Sequence, residues 1–173
     1  PYRSVCTIST HDMSTLRGWW EEDFQQTQRY YNNMLGHYGA APAVATPELC
    51  EEVVRSHLYS NSILAILSLQ DWMSMDGKWR NPHVQEERIN VPANPRHYWR
   101  YRMHLTLEEL LRQEPFNATL REMIIAGGRR NPAGLFPLIS NSGKTAFGTA
   151  PRITAALPDS SRRPESGFVR IGP

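Results

Sequence analysis

The sequence predicts an α/β fold with parallel strands, and three observations carry that prediction. A β-branched stretch, Tyr2-Arg3-Ser4-Val5-Cys6-Thr7-Ile8, runs into a segment whose apolar residues Leu16, Trp19, Trp20 and Phe24 recur at helical steps. A second helix, opening at Thr46-Pro47, is followed by the continuous apolar run Ser62 to Leu69. An acidic residue sits just beyond each apolar stretch: Asp12 after the first and Asp71 after the second. Helix followed by buried strand is the alternation of a parallel sheet. The carboxyl edge of such a sheet or barrel is where catalytic side chains gather.

Taken in order, the first strand is expected over Tyr2 to Ile8 and a helix over Met13 to Leu35, stopped by Gly36. The middle of that helix is polar (Gln25, Gln26, Gln28), so one face is expected to be wet. Gly36 to Pro42 is a loop. Thr46-Pro47-Glu48 opens the next helix with a capping hydroxyl, a proline at the first helical position and an acid in the first turn. Its inner side carries Leu49, Val53, Val54 and Leu58. Ser62 to Leu69 is read as a strand buried on both faces. Asp76 to Pro95 is a long polar loop, and long loops in compact domains are commonly functional. Beyond it lie the aromatic and basic run His97-Tyr98-Trp99-Arg100-Tyr101-Arg102, a short helix over Thr106 to Gln113 with Thr106 and Glu109 as a capping box, and a helix over Asn117 to Ala126 ended by Gly127-Gly128.

The character changes after Asn131. Residues 1–131 form one domain in this reading. Residues 132–173 are rich in Pro, Gly, Ser and Ala without sustained periodicity, and are expected to be a disordered or non-native tail. The chain opens at Pro1, close to a strand and without Met, as a fragment would. A net charge of +2 offers nothing to a nucleic-acid partner. The longest apolar run is far too short for a membrane span, and no signal-peptide pattern is present. Two cysteines, Cys6 and Cys50, without CxxC spacing, suit neither a disulfide framework nor a zinc site. A reducing, cytoplasmic compartment is the expectation.

The stretch of most interest is Ser9-Thr10-His11-Asp12-Met13-Ser14-Thr15. An imidazole beside a carboxylate at a strand's end has two readings. Asp12 caps the following helix, or the pair meets a ligand. Ser14 or Thr15 already serves as a cap, which frees Asp12 for the second role. Trp19 and Trp20 stand at helical spacing, which suits core more than a sugar-binding wall.

Three segments resemble one family closely. They are Ser9-Thr10-His11-Asp12-Met13-Ser14-Thr15-Leu16-Arg17-Gly18-Trp19-Trp20, Leu69-Gln70-Asp71, and Glu87-Arg88-Ile89-Asn90-Val91-Pro92-Ala93-Asn94-Pro95 continuing through His97 to Met103. Together they are similar to the 4-α-glucanotransferases, the amylomaltases or disproportionating enzymes, and most of all to the long form with N-terminal starch-binding modules. The resemblance covers residues 1 to about 130 and implies the C-terminal part of a (β/α)8 TIM barrel, about its last two strands with their helices. It implies retaining transfer of α-1,4-glucan segments to the 4-hydroxyl of an acceptor. By the same resemblance Asp12 is the transition-state-stabilising carboxylate at the end of the seventh strand, and His11 and Asn90 contact the sugar. Ser62 to Leu69 is then the eighth strand. The nucleophilic Asp and the acid/base Glu would lie upstream of Pro1, so the chain alone is expected to be inactive. The implied partners are a maltooligosaccharide or α-glucan substrate and the upstream remainder of the barrel. No cofactor, metal, nucleic acid or membrane is implied.

Two carboxylate sites lie outside that assignment. Asp71 is read as a structural contact at a strand's end, and Glu86-Glu87 as a solvated pair. Two readings from other classes stand beside the enzyme. One is a non-catalytic carbohydrate-binding module stacking sugars on Trp19, Trp20, Tyr30, Tyr31, Trp72 and Trp99. The other is a helical interaction module in which Asp12 is only a cap.

Overall fold

β-branched residues and a capped helix between them set up one parallel strand pair. In the computed structural model, which describes residues 2–129, β1 (Val5–Cys6) and β2 (Leu64–Ala65) pair in parallel, Val5 opposite Leu64 and Cys6 opposite Ala65. Ile63 N–H donates to Tyr2 O (2.8 Å) and Ile66 N–H to Cys6 O (3.0 Å), so the pairing extends past the formal ends. The expected parallel arrangement is present, but the strands are shorter than their apolar runs. The expected burial of the second strand on both faces is also absent: Ile63, Leu64 and Ile66 are about half exposed. Burial on both faces needs neighbours at both edges and helices on both sides, and each strand has one neighbour among the described residues.

Three helices separate the strands. The single helix expected over Met13 to Leu35 is two, α1 (Leu16–Glu22) and α2 (Phe24–Asn33). Asp23 divides them. Its backbone is extended, and its carboxylate accepts from Gln25 N–H (2.8 Å) and Gln26 N–H (3.2 Å), capping α2. A short acidic side chain that competes for backbone donors interrupts a helix where apolar spacing alone runs through. Phe24, placed on the buried face by that spacing, is consequently exposed. α3 (Pro47–Leu58) starts as read, with Thr46 as cap and Pro47 at the first position, and buries Leu49, Cys50, Val53, Val54 and Leu58.

The core lies where α1, α2 and α3 meet. Trp20, Val53 and Val54 are fully enclosed, and the Trp20 indole N–H donates to Pro42 O (2.8 Å). Trp19, Tyr30 and Tyr31 pack edge-on around it. Four of the six aromatics proposed as sugar platforms are thus core or packed against it, and Trp72 is too. Trp99 alone of that group is well exposed.

Beyond β2 come α4 (Leu69–Met73), a 3-10 turn (Val84–Glu87), α5 (Leu107–Leu111) and α6 (Glu114–Ala126). Thr106 and Glu109 form the expected reciprocal cap. α6 begins three residues earlier than read, because Pro115 suits a first turn that needs no N–H from it. Its end docks on α3. A Cβ on Gly127 would lie 2.9 Å from Leu58 O, so the approach requires glycine, and Arg129 Nε–H donates to that same carbonyl (2.6 Å). No helix among the described residues is long and apolar enough to cross a membrane. The 132–173 tail and its boundary at residue 131 lie outside the described residues.

Candidate functional site

β1 delivers the chain to its carboxyl end, and a turn closed by Met13 N–H donating to Thr10 O (3.1 Å) places His11 and Asp12 there. Thr15 then caps α1, its hydroxyl accepting from Gly18 N–H (3.3 Å). The Leu16 N–H is taken by Asp71 Oδ1 (2.8 Å). The Leu16 and Gly18 N–H groups at the start of α1 are thus met by Asp71 and Thr15 rather than by Asp12.

Asp12 faces Asn90 instead. The Asn90 side-chain amide donates to Asp12 Oδ1 (2.7 Å), and the Asn90 backbone N–H donates to His11 O (3.0 Å). His11 Nε2 lies 3.3 Å from the same Asp12 oxygen. The three candidate residues, spread over eighty positions of sequence, thus share one patch. The side chains of His11 and Asp12 are about half exposed, at 54% and 51%, so a ligand from solvent can reach both. Trp99 stands beside them, its ring 5.2 Å from the His11 ring at a 47° tilt.

Beneath this open layer is a closed one. Asp71 is fully buried and accepts from the Ser68 hydroxyl (2.7 Å), the Ser9 hydroxyl and the Leu16 N–H. One carboxylate so ties the end of β1, the start of α1 and the start of α4. The structural reading of Asp71 holds.

The reading of Glu86-Glu87 as a solvated pair holds for Glu86 only. Glu87 is buried, its Oε1 2.5 Å from Arg17 Nη1 and its Oε2 accepting from the Thr15 hydroxyl (2.9 Å). Burial pushes its carboxyl above the ordinary value, against the opposing pull of Arg17 and Thr15. Two adjacent glutamates in a polar loop look alike in sequence. The 3-10 turn directs one inward and the other out. Arg88, next in the chain, donates through Nη1 to the Ser14 hydroxyl (2.8 Å) and through Nε to Asn90 O (3.0 Å). It also lines a cleft of about 330 Å³ with His97, Tyr98, Arg100 and Tyr101. Glu87 and Arg88 contact this patch without having been given a site role from the sequence, and Trp99 was read there only as a stacking aromatic of the alternative binding module. All three fall within the segment from Glu87 to Met103 that carries the family resemblance.

A family model for 4-alpha-glucanotransferase matches residues 1–107, well over half of the chain. The chain belongs to the 4-alpha-glucanotransferase family. Among its relatives, the 4-alpha-glucanotransferase DPE2 of rice, Oryza sativa subsp. japonica, is 41% identical over 131 residues, which are 76% of this chain and 14% of that protein. The 4-alpha-glucanotransferase of Chlamydia caviae is 30% identical over 121 residues, or 69% of this chain and 22% of the relative. A 4-alpha-glucanotransferase thus shares this segment across plants and bacteria, while the chain spans only about 14–22% of their length. In fold, it matches an amylomaltase from Streptococcus agalactiae, solved in complex with acarbose, at a TM-score of 0.53 and 23% identity, over 74% of this chain and 22% of that one. The fold is accordingly that of part of an amylomaltase.

Proposed function

We propose that this chain is the C-terminal part of the catalytic barrel of a 4-α-glucanotransferase, supplying its seventh and eighth strands and, at their carboxyl ends, part of the donor-sugar site. The observation that carries the proposal is the convergence of His11, Asp12 and Asn90 at the end of β1, two of them open to solvent and all three held by contacts within the chain. The half-exposed apolar residues of β1 and β2 fit strands whose remaining neighbours belong to the same barrel.

The chemistry follows from the geometry. A retaining transfer passes through a glycosyl-enzyme intermediate flanked by oxocarbenium-like transition states. A carboxylate fixed against the sugar's 2- and 3-hydroxyls binds the flattened ring better than the relaxed one, and only such differential binding speeds the reaction. Asn90, which donates to one Asp12 oxygen, orients that carboxylate, and His11 offers a ring N–H to a sugar hydroxyl. The nucleophile and the acid/base come from earlier strands of the barrel. The substrate is an α-1,4-glucan or maltooligosaccharide, a reading supported by the acarbose bound to the streptococcal amylomaltase.

The test is maltotriose disproportionation by the complete transferase carrying Asp12→Asn. Loss of one preorganised transition-state contact is expected to lower kcat by about 10²–10³-fold with the melting temperature nearly unchanged. Full activity in that variant refutes the assignment.

A further inference from the structure

The contacts between the turn after β1 and the loop after β2 form an ordered series. Asn90 meets His11 and Asp12, Arg88 meets Ser14, and Glu87 meets Thr15 and Arg17. Numbers fall on one side as they rise on the other, so two irregular segments run antiparallel and are laced by side chains. Burial is graded along the lacing. Glu87 is 3% exposed and the Arg17 side chain 10%, whereas His11 and Asp12 stand about half open at the far end.

This gradient decides which end controls the other. A hydrogen bond between exposed side chains is readily replaced by water and holds nothing in register by itself. A buried carboxylate that receives a guanidinium on one oxygen and a hydroxyl on the other has no such competitor. Arg17 Nη1 also donates to Asn81 O (2.7 Å), so the same guanidinium fastens the loop upstream of the 3-10 turn. From Glu87 the chain reaches Asn90 in three residues, and the Asn90 peptide is gripped on both sides, its N–H by His11 O and its carbonyl by Arg88 Nε.

We infer that Glu87 is a positioning residue, which through its lock on Arg17 and Thr15 sets the register that brings the Asn90 amide onto Asp12. The inference rests on the function proposed for Asp12 and Asn90, and it assigns Glu87 no contact with substrate. A register error of an ångström at a reacting centre costs up to about 100-fold in rate, so the lock bears on turnover more than on substrate affinity.

The test is a double-mutant cycle in the complete transferase, read as kcat and KM for maltotriose, with Asp12→Asn measured alongside. Glu87→Gln is expected to lower kcat about 10- to 100-fold with KM little changed. In an Asn90→Ala background the same change is expected to cost less than about threefold, because the group it positions is gone. An equal loss in both backgrounds overturns the inference and leaves Glu87 a purely structural residue. Should Glu87→Gln fail to fold, Glu87→Asp, which keeps the charge and shortens the reach, runs through the same cycle with the same criterion. Full activity of Asp12→Asn refutes the reading of the site. Inactive Asp12→Asn with additive Glu87 and Asn90 effects refutes positioning alone.

Discussion

Strand pairing leaves an apolar surface whose fate is measurable. Val5 is 56% exposed, Ile63 49%, Leu64 51% and Ile66 60%. Full burial of such side chains is worth roughly 1.5–3 kcal/mol each, so covering the exposed half of one contributes about 1 kcal/mol. Leu64 and Ile66, two residues apart, share one face of β2. Replacing both with Lys removes about 2 kcal/mol of that gain, and 1.4 kcal/mol is a tenfold change in an equilibrium constant, so binding to the barrel remainder proposed above is expected to weaken by roughly 30-fold or more. Unpaired strand edges also invite self-association. The assay is sedimentation velocity of the 173-residue chain, alone and mixed with a polypeptide carrying the preceding part of the transferase. Wild-type chain is expected to self-associate alone and to form a one-to-one complex in the mixture. Leu64→Lys/Ile66→Lys is expected to stay dispersed and to bind weakly. A wild-type chain that remains monomeric at about 100 μM, with co-assembly indifferent to the double substitution, refutes the reasoning that these strands await neighbours.

Three other outcomes follow from named contacts. Asp71→Ala removes the acceptor of three donors; the Ser9 and Ser68 hydroxyls, 3.1 Å apart, keep one bond between them, so two donors are left unmet. At about 1–3 kcal/mol per unmet group, a loss of about 2 kcal/mol or more is expected, read as a lower midpoint of urea-induced Trp fluorescence change in the complete transferase. The backbone N–H of Thr106 holds the Glu109 carboxyl below its usual range, with the Thr106 hydroxyl adding to it. A depressed carboxyl stabilises the fold above its unfolded value of 4.5 and loses that contribution as pH falls through the folded value, so α5 is expected to loosen in acid below that value. Amide exchange of α5 residues measures this, and Glu109→Gln should flatten the pH dependence. Burial pushes the Cys50 thiol up to about 11, while Cys6 is partly exposed. In the native 173-residue chain at pH 8, a thiol reagent is expected to modify Cys6 first and Cys50 only on unfolding, as peptide mapping would show.

Local chemistry determined much of this molecule directly from the order of residues. The start of α3 follows from Thr46-Pro47-Glu48, and the start of α5 from Thr106 and Glu109, because capping is settled within four residues. The parallel relation of the strands follows from an apolar run after a helix, and family resemblance singled out His11, Asp12 and Asn90, which the fold brings into contact. Tertiary structure alone decided the rest. Apolar spacing ran one helix through Asp23, where a carboxylate cap makes two. Glu86 and Glu87 are indistinguishable as neighbours in a loop, yet one is solvated and the other is buried against Arg17, seventy residues away. A partner that distant leaves no periodic trace in sequence. It exists only once the chain has folded back on itself, where burial turns a surface charge into a lock.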